Sequence, residues 1–162
     1  MMQQLANFKD TFQLEAAVQI FLNKSSGRVL HFEDKNLIVN SGKVIALTAL
    51  FPTSPGDSLS YAKVGNGGAT DPEGLILKTP VATMTDLYSP VAEMPISKLS
   101  QNVAIPSITM LASLDNSLGN GYLIDEAGFF SGTGLMFNIK VFPGVQKDDS
   151  FSIDFVWVIT VS

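Results

Sequence analysis

The sequence predicts an all-β fold, a two-sheet antiparallel β-sandwich with one short helix near residues 42–51 and a long proline-rich middle region. Three observations predict it. Phe151, Ile153, Phe155, Trp157, Ile159 and Val161 occupy every second position of FSIDFVWVITV, the period of a strand with one face in a core. Near the other end, Phe12, Leu14, Ala16, Val18, Ile20 and Leu22 alternate in the same way with Gln13, Glu15, Ala17, Gln19 and Phe21. Between these runs, clusters of Gly, Pro, Asn, Asp and Ser recur, and short strands punctuated by such turns pack as two layers.

In chain order, residues 1–10 read as an N-terminal arm and residues 11–162 as a single β-sandwich domain. The turn-rich NKSSGR after the first strand, with Gly27 able to take positive φ, sends Val29 to Phe32 back as a first hairpin. Asn40 and Ser41 are good N-cap residues, and Val44, Leu47 and Phe51, with Ile45 and Leu50 beside them, recur at helical spacing until Pro52 ends the run. Leu59 to Val64 reads as a strand closed by GNGG, and Asp71 to Gly74 as a turn. Pro80, Pro90, Pro95 and Pro106 argue against central strands and for extended loops and edge strands, with Tyr88 to Ala92 and Val103 to Ile105 as strand candidates. Alternation returns from Ser107 to Leu114, DNSLGNG closes that strand, and Tyr122 to Phe130 begins the next. Leu135, Phe137, Ile139 and Val141 alternate ahead of PGVQKDDS, which predicts that this run and the last one form an antiparallel hairpin. The expected core is centred on Trp157, Phe155, Ile153, Phe137 and Ile139.

At 162 residues the chain can bury roughly two thirds of its unfolded surface. Charged residues make up only 15% of it, against about 25% in an average globular chain, so the surface is short of charge. Surfaces that dock on partners have this depletion. The proline-rich middle is too apolar for a solvated loop, which makes Met84, Leu87, Met94 and Leu99 candidate interface residues together with Leu5 and Phe8 of the arm. A net charge of −5 with one arginine argues against nucleic acid. The lack of cysteine excludes disulfides and thiolate metal sites. No apolar run has the length of a membrane-spanning helix, and MMQQLANFKD lacks the pattern of a secretory signal.

Groups that could carry chemistry are few. His31 is the lone histidine, in a strand, where a structural or solvated imidazole is expected. Gly65, Gly67 and Gly68 form a glycine cluster without the Gly-Lys-Ser/Thr ending of a phosphate loop. Asp115, Ser117, Gly119, Gly121 and Glu126 are spaced faintly like a calcium loop, but Asn120 stands where glycine is needed. Asp125-Glu126 and Asp148-Asp149 are adjacent pairs, which a strand points to opposite faces rather than across one substrate. No catalytic, cofactor or metal set is expected.

Four pieces, NLIVNSG, YAKVGNGG, IDEAGFF and the terminal LMFNIKVFPGVQKDDSFSIDFVWVITV, resemble in order and spacing a small β-domain of tailed-bacteriophage virion proteins, of the tail-fibre or collar N-terminal, baseplate or capsid accessory type. The resemblance covers most of the chain from about Thr11. It implies a non-enzymatic assembly or attachment subunit of the tail, baseplate or neck, located in the virion after synthesis in the host cytoplasm. Its partners would be other virion proteins and copies of itself, with no nucleic acid and no membrane. Capsid decoration and host-glycan or receptor binding, using Tyr61, Tyr88 or Tyr122 as stacking platforms, are the alternatives. In these motifs Gly42, Gly65, Gly67 and Gly128 are expected as backbone turns, where the chain needs positive φ or close approach.

Overall fold

A computed structural model describes residues 13–49 and 58–162. The arm with Leu5 and Phe8, the first strand's Phe12, and the helix end at Leu50, Phe51 and Pro52 lie outside the described residues. Within them the chain is all-β with one short helix: β1 (Leu14–Lys24), β2 (Gly27–Lys35), β3 (Leu37–Ile38), α1 (Asn40–Thr48), β4 (Leu59–Gly65), β5 (Pro90–Asn102), β6 (Ser107–Leu114), β7 (Leu123–Ser131), β8 (Met136–Gln146) and β9 (Ser152–Val161). The strands form one antiparallel, nearly closed sheet in the order β2-β1-β9-β6-β5-β4-β7-β8-β3. Its two ends meet where Asn36 N donates to Ala16 O, Lys140 Nζ to Asp34, and His31 Nε2 lies 2.8 Å from Pro143 O. The lone histidine is thus a tie between β2 and β8.

The core follows from the alternation of β9 and its neighbours. Register sets Trp157 between Val18 and Met110, Phe155 between Ile20 and Ala112, and Ile153 between Leu22 and Leu114. All three β9 side chains are fully buried. The small Ala112 leaves room for Phe155. From the facing half of the sheet, Phe129 meets Trp157 edge to face with ring centroids 3.8 Å apart, and Phe142 lies 6.0 Å from Phe155. Phe137 joins this core, whereas Ile139 belongs to a second cluster with Val39, Leu87, Phe130 and Met136. Both faces of β7 and β8 are therefore covered.

Four expectations are corrected. β8 and β9 do not form a hairpin: β8 pairs with β7 and β3, and β9 with β1 and β6. The connector crosses the end of the core with Phe151 buried beneath it, and a connection this short serves either route. Second, β5 is a long strand at the centre of the strand order. Its first half pairs only with β4 and its second half only with β6, so each half keeps one open side on which Pro90 and Pro95 forfeit no ladder bond. Val103 to Ile105 is turn, held by Asn102 Oδ1 accepting from the amides of Ala104 and Ile105.

Third, the helix N-cap is Val39, whose hydrocarbon side chain offers no cap bond, and Ser41 inside the first turn donates its Oγ to Met136 O at 2.5 Å. The buried helix face is Gly42 and Ile45, and Val44 and Leu47 are exposed. Fourth, Gly42 lies in a helix and Gly128 in a strand, and neither they nor Gly65 and Gly67 have positive φ. What they share is close approach. A Cβ on Gly128 would stand 2.5 Å from the carbonyl oxygen of Asn138, and one on Gly42 would collide with the Phe137 carbonyl. Beside Gly128, the buried Asn138 Oδ1 accepts from Phe129 N at 2.9 Å where the β7–β8 register slips.

Trp157→Ala should cost about 3 to 5 kcal/mol by opening a cavity at the meeting point of both halves of the sheet. Near-native unfolding midpoints in urea would contradict that packing. Gly128→Ala should cost about 3 kcal/mol, since β8 backbone has to move. Gly27→Ala should cost about 1 to 2 kcal/mol, from the φ of +124° in otherwise open space. Equal losses in paired unfolding curves would show that crowding is not what Gly128 relieves.

Candidate functional site

β1, β4, β6 and β8 start at one end of the sheet, where β5, β7 and β9 stop; at the opposite end three connecting segments, 66–89, 115–122 and 147–151, converge. The paired carboxylates and the GNGG glycines singled out in the sequence gather at this second end. Asp125 accepts the amides of Gly68 at 2.8 Å and Ala69 at 2.9 Å. Glu126 accepts those of Ser89 at 2.8 Å, Tyr88 at 2.9 Å and Gly67 at 3.2 Å. Both side chains are buried. The GNGG amides therefore do form an anion-binding nest, and the anions are the chain's own carboxylates. Gly65 and Gly67 admit this approach, since a Cβ on Gly67 would stand 2.8 Å from Ser89 N and one on Gly65 would strike the Glu126 carboxylate. Lys78 completes the clasp by donating to Gly67 O at 2.6 Å.

Burial raises the pKa of Glu126, opposed by the three amides and helped slightly by Asp125. As a site for acid and base chemistry the pair is already engaged: each oxygen faces backbone N–H groups rather than a cleft.

The segments that look like a calcium loop and an aspartate pair meet beside it. Their centre is a cation supplied by the chain: Lys147, almost fully buried, donates to Asn120 Oδ1 at 2.9 Å and to Asp148 O at 2.5 Å. Burial lowers its pKa, opposed by the charges of Asp148, Asp115 and Asp149. Asp115 turns inward to Ser117, and Asp148 to Ser150. Among the described residues no three His, Cys, Asp or Glu side chains are placed to share a metal ion.

What these clasps hold out is apolar. The segment 69–77 folds into a finger: Thr70 N donates to Ile76 O, Lys78 N to Gly68 O, and Gly144 N of β8 to Gly74 O. At its tip the Asp71 carboxylate accepts the amides of Leu75 at 3.0 Å and Ile76 at 2.5 Å, which keeps its pKa low. The side chains of Leu75 and Ile76 are left 69% and 64% exposed. At the opposite end of the sheet the core-facing rows of β6 and β9 run on past Met110 and Trp157 into an open groove of about 760 Å³ lined by Leu59, Pro106, Ile108, Ile159 and Val161, with Lys98 on its rim.

Of the interface candidates, Leu87 and Met94 are corrected: both are buried in the chain's own clusters, and Met84 packs partly against the second one. The 80–89 segment covers the outer face of β7 and β8, which needs its apolar side chains. Leu99 is 53% exposed. Of the three tyrosines, Tyr61 stacks on Phe130 at 5.5 Å and Lys78 covers Tyr88 at 4.6 Å; Tyr122 is 47% exposed. Neither the finger nor the groove is expected from the sequence, although Leu75 to Leu77 after the Asp71 turn is a visible apolar run in a loop.

Glu126→Gln should destabilise the chain by about 1 to 3 kcal/mol, because one acceptor oxygen becomes an NH₂ facing an N–H donor. The folded chain holds the Glu126 proton above the ordinary value of 4.5, so this group favours folding most below that value, and its contribution fades as pH rises through the folded pKa. The stability gap between the two chains should narrow over that interval. Parallel pH profiles in urea unfolding would refute the assignment.

Comparison with protein-family models, with curated proteins and with solved structures returns no match. What the chain does is therefore read from its own residues.

Proposed function

We propose that the chain is a structural subunit of a tailed-phage virion, a non-enzymatic assembly or attachment piece of the tail, baseplate or neck that works by packing against other virion proteins. The observation that carries the assembly half of this reading is the contrast at the loop end. The carboxylates, the glycine-rich amides and a buried lysine are spent on fixing loops, and what the fixed loops expose is the apolar pair Leu75 and Ile76. Apolar side chains held outward by a built scaffold suit contact with protein surface. The virion half rests on the resemblance of NLIVNSG, YAKVGNGG, IDEAGFF and the terminal run to the phage β-domain. The clasp gives two of those motifs a shared physical purpose, since YAKVGNGG supplies two of the five amides and IDEAGFF both carboxylates. Such a subunit would be made in the host cytoplasm and retained in the particle.

Purified particles from a lysate of the producing host should contain the chain at fixed stoichiometry to the major capsid protein, measured by quantitative mass spectrometry through a density gradient. Recovery only in particle-free fractions would overturn the virion assignment.

A further inference from the structure

We propose that the chain associates head to tail with a second copy of itself, the Leu75–Ile76 finger of one copy entering the apolar groove between β4, β6 and β9 of the next. This names a partner for the assembly reading above and rests on it only in requiring contact between chains; it holds whatever particle the contact serves.

Three observations lead to it. The finger and the groove lie at opposite ends of the same strands: β4 runs from Leu59 at the groove to Gly65 at the base of the finger segment, and β5 returns from Pro90 beside that base to Asn102 at the groove. A contact between them relates unlike patches, which is the heterologous geometry that builds rings or stacks. The two patches also match in character. The groove is the exposed continuation of the core, with Ile108 43% exposed and Ile159 and Val161 beside it, and the finger offers two neighbouring branched aliphatic side chains. Finally, the charges match. Asp71 and Glu73 flank the tip on an acidic chain of net charge −5. Lys98 on the groove rim is exposed and among the described residues bonds only to Gln101 Oε1 at 3.0 Å. The finger is preorganised by the Asp71 carboxylate and by Gly144, so little ordering is needed on docking.

Sedimentation of the full chain over a concentration series tests this, with Ile76→Asp as a finger variant and Ile108→Asp as a groove variant. Both sites are exposed, and circular dichroism with thermal unfolding verifies that each variant folds. Leu75→Ser and Lys98→Glu are the milder substitutes if either does not. The full chain should show mass rising with concentration beyond that of a dimer, and each variant should associate at least about tenfold more weakly. Mixed together, the two variants should form a one-to-one dimer that does not grow, because the groove of one and the finger of the other remain intact. A full chain that stays monomeric into the millimolar range overturns the proposal and assigns the groove to the chain's own residues or to a different protein. So does association that both variants leave unchanged, or a mixture that behaves as the sum of its parts. Presence in or absence from particles does not alter these outcomes, so failure here is distinguishable from failure of the virion reading.

Discussion

The edge-to-face contact of Trp157 with Phe129 is the constraint on which the remaining architecture depends. It links the strands around β9 to those around β7 at the centre of the core, and it sets how far apart the two halves of a nearly closed sheet can stand. Strands that carry large residues there need small ones beside them. Ala112 opposite Phe155 and Ala62 opposite Phe129 supply them, and Gly128 lets the Asn138 backbone approach at the bulge next to Phe129. The second cluster under the 80–89 segment follows, because a β7 strand buried on both faces must be covered on its outer side as well.

The loop end is held by internal ionic chemistry. A buried carboxylate is costly unless it is fully hydrogen-bonded, and Asp125 and Glu126 meet that requirement with backbone amides from two separate segments, 67–69 and 88–89. Fixing both ends of the long connection between β4 and β5 on one strand is what turns its interior into a rigid finger. Lys147 fixes the other two segments in the opposite sense, as a cation among carbonyl and carboxylate oxygens. Groups that read in the sequence as phosphate, calcium or acid-base chemistry are thus complementary to one another.

How much of this was legible in the sequence depended on range. The alternation of β1, β6 and β9 stated their core faces directly, because each has one buried face. Partnership was not legible: the same alternating run of β9 would fit beside β8, and only the demand that both faces of β8 be buried sends the connector across the core instead. Proline misled at β5, since the rule against central strands assumes neighbours on both sides of every residue, and β5 changes neighbours midway. The helix is legible in its apolar spacing, but not that Ile45 rather than Val44 or Leu47 is its buried side chain, because Gly42 against Phe137 dictates which side lies on the sheet. At the loop end Asp125, Glu126 and the GNGG glycines each stand out in the sequence, but their pairing does not, as it joins segments more than fifty positions apart.

The same spending of charge explains the surface. Arg28 is taken by Asp154, Lys35 by Glu15, Lys63 by Asp86 and Lys140 by Asp34, while Lys78 and Lys147 serve the clasps. In a chain with 10 basic and 15 acidic residues, this leaves few cations to steer a partner at long range. Recognition then has to come from shape and apolar contact, and it needs rigid loops, since a flexible apolar loop would lose ordering entropy comparable to what its burial returns. A surface poor in charge and a loop end rich in internal ion and amide contacts are thus two consequences of one distribution of charged residues.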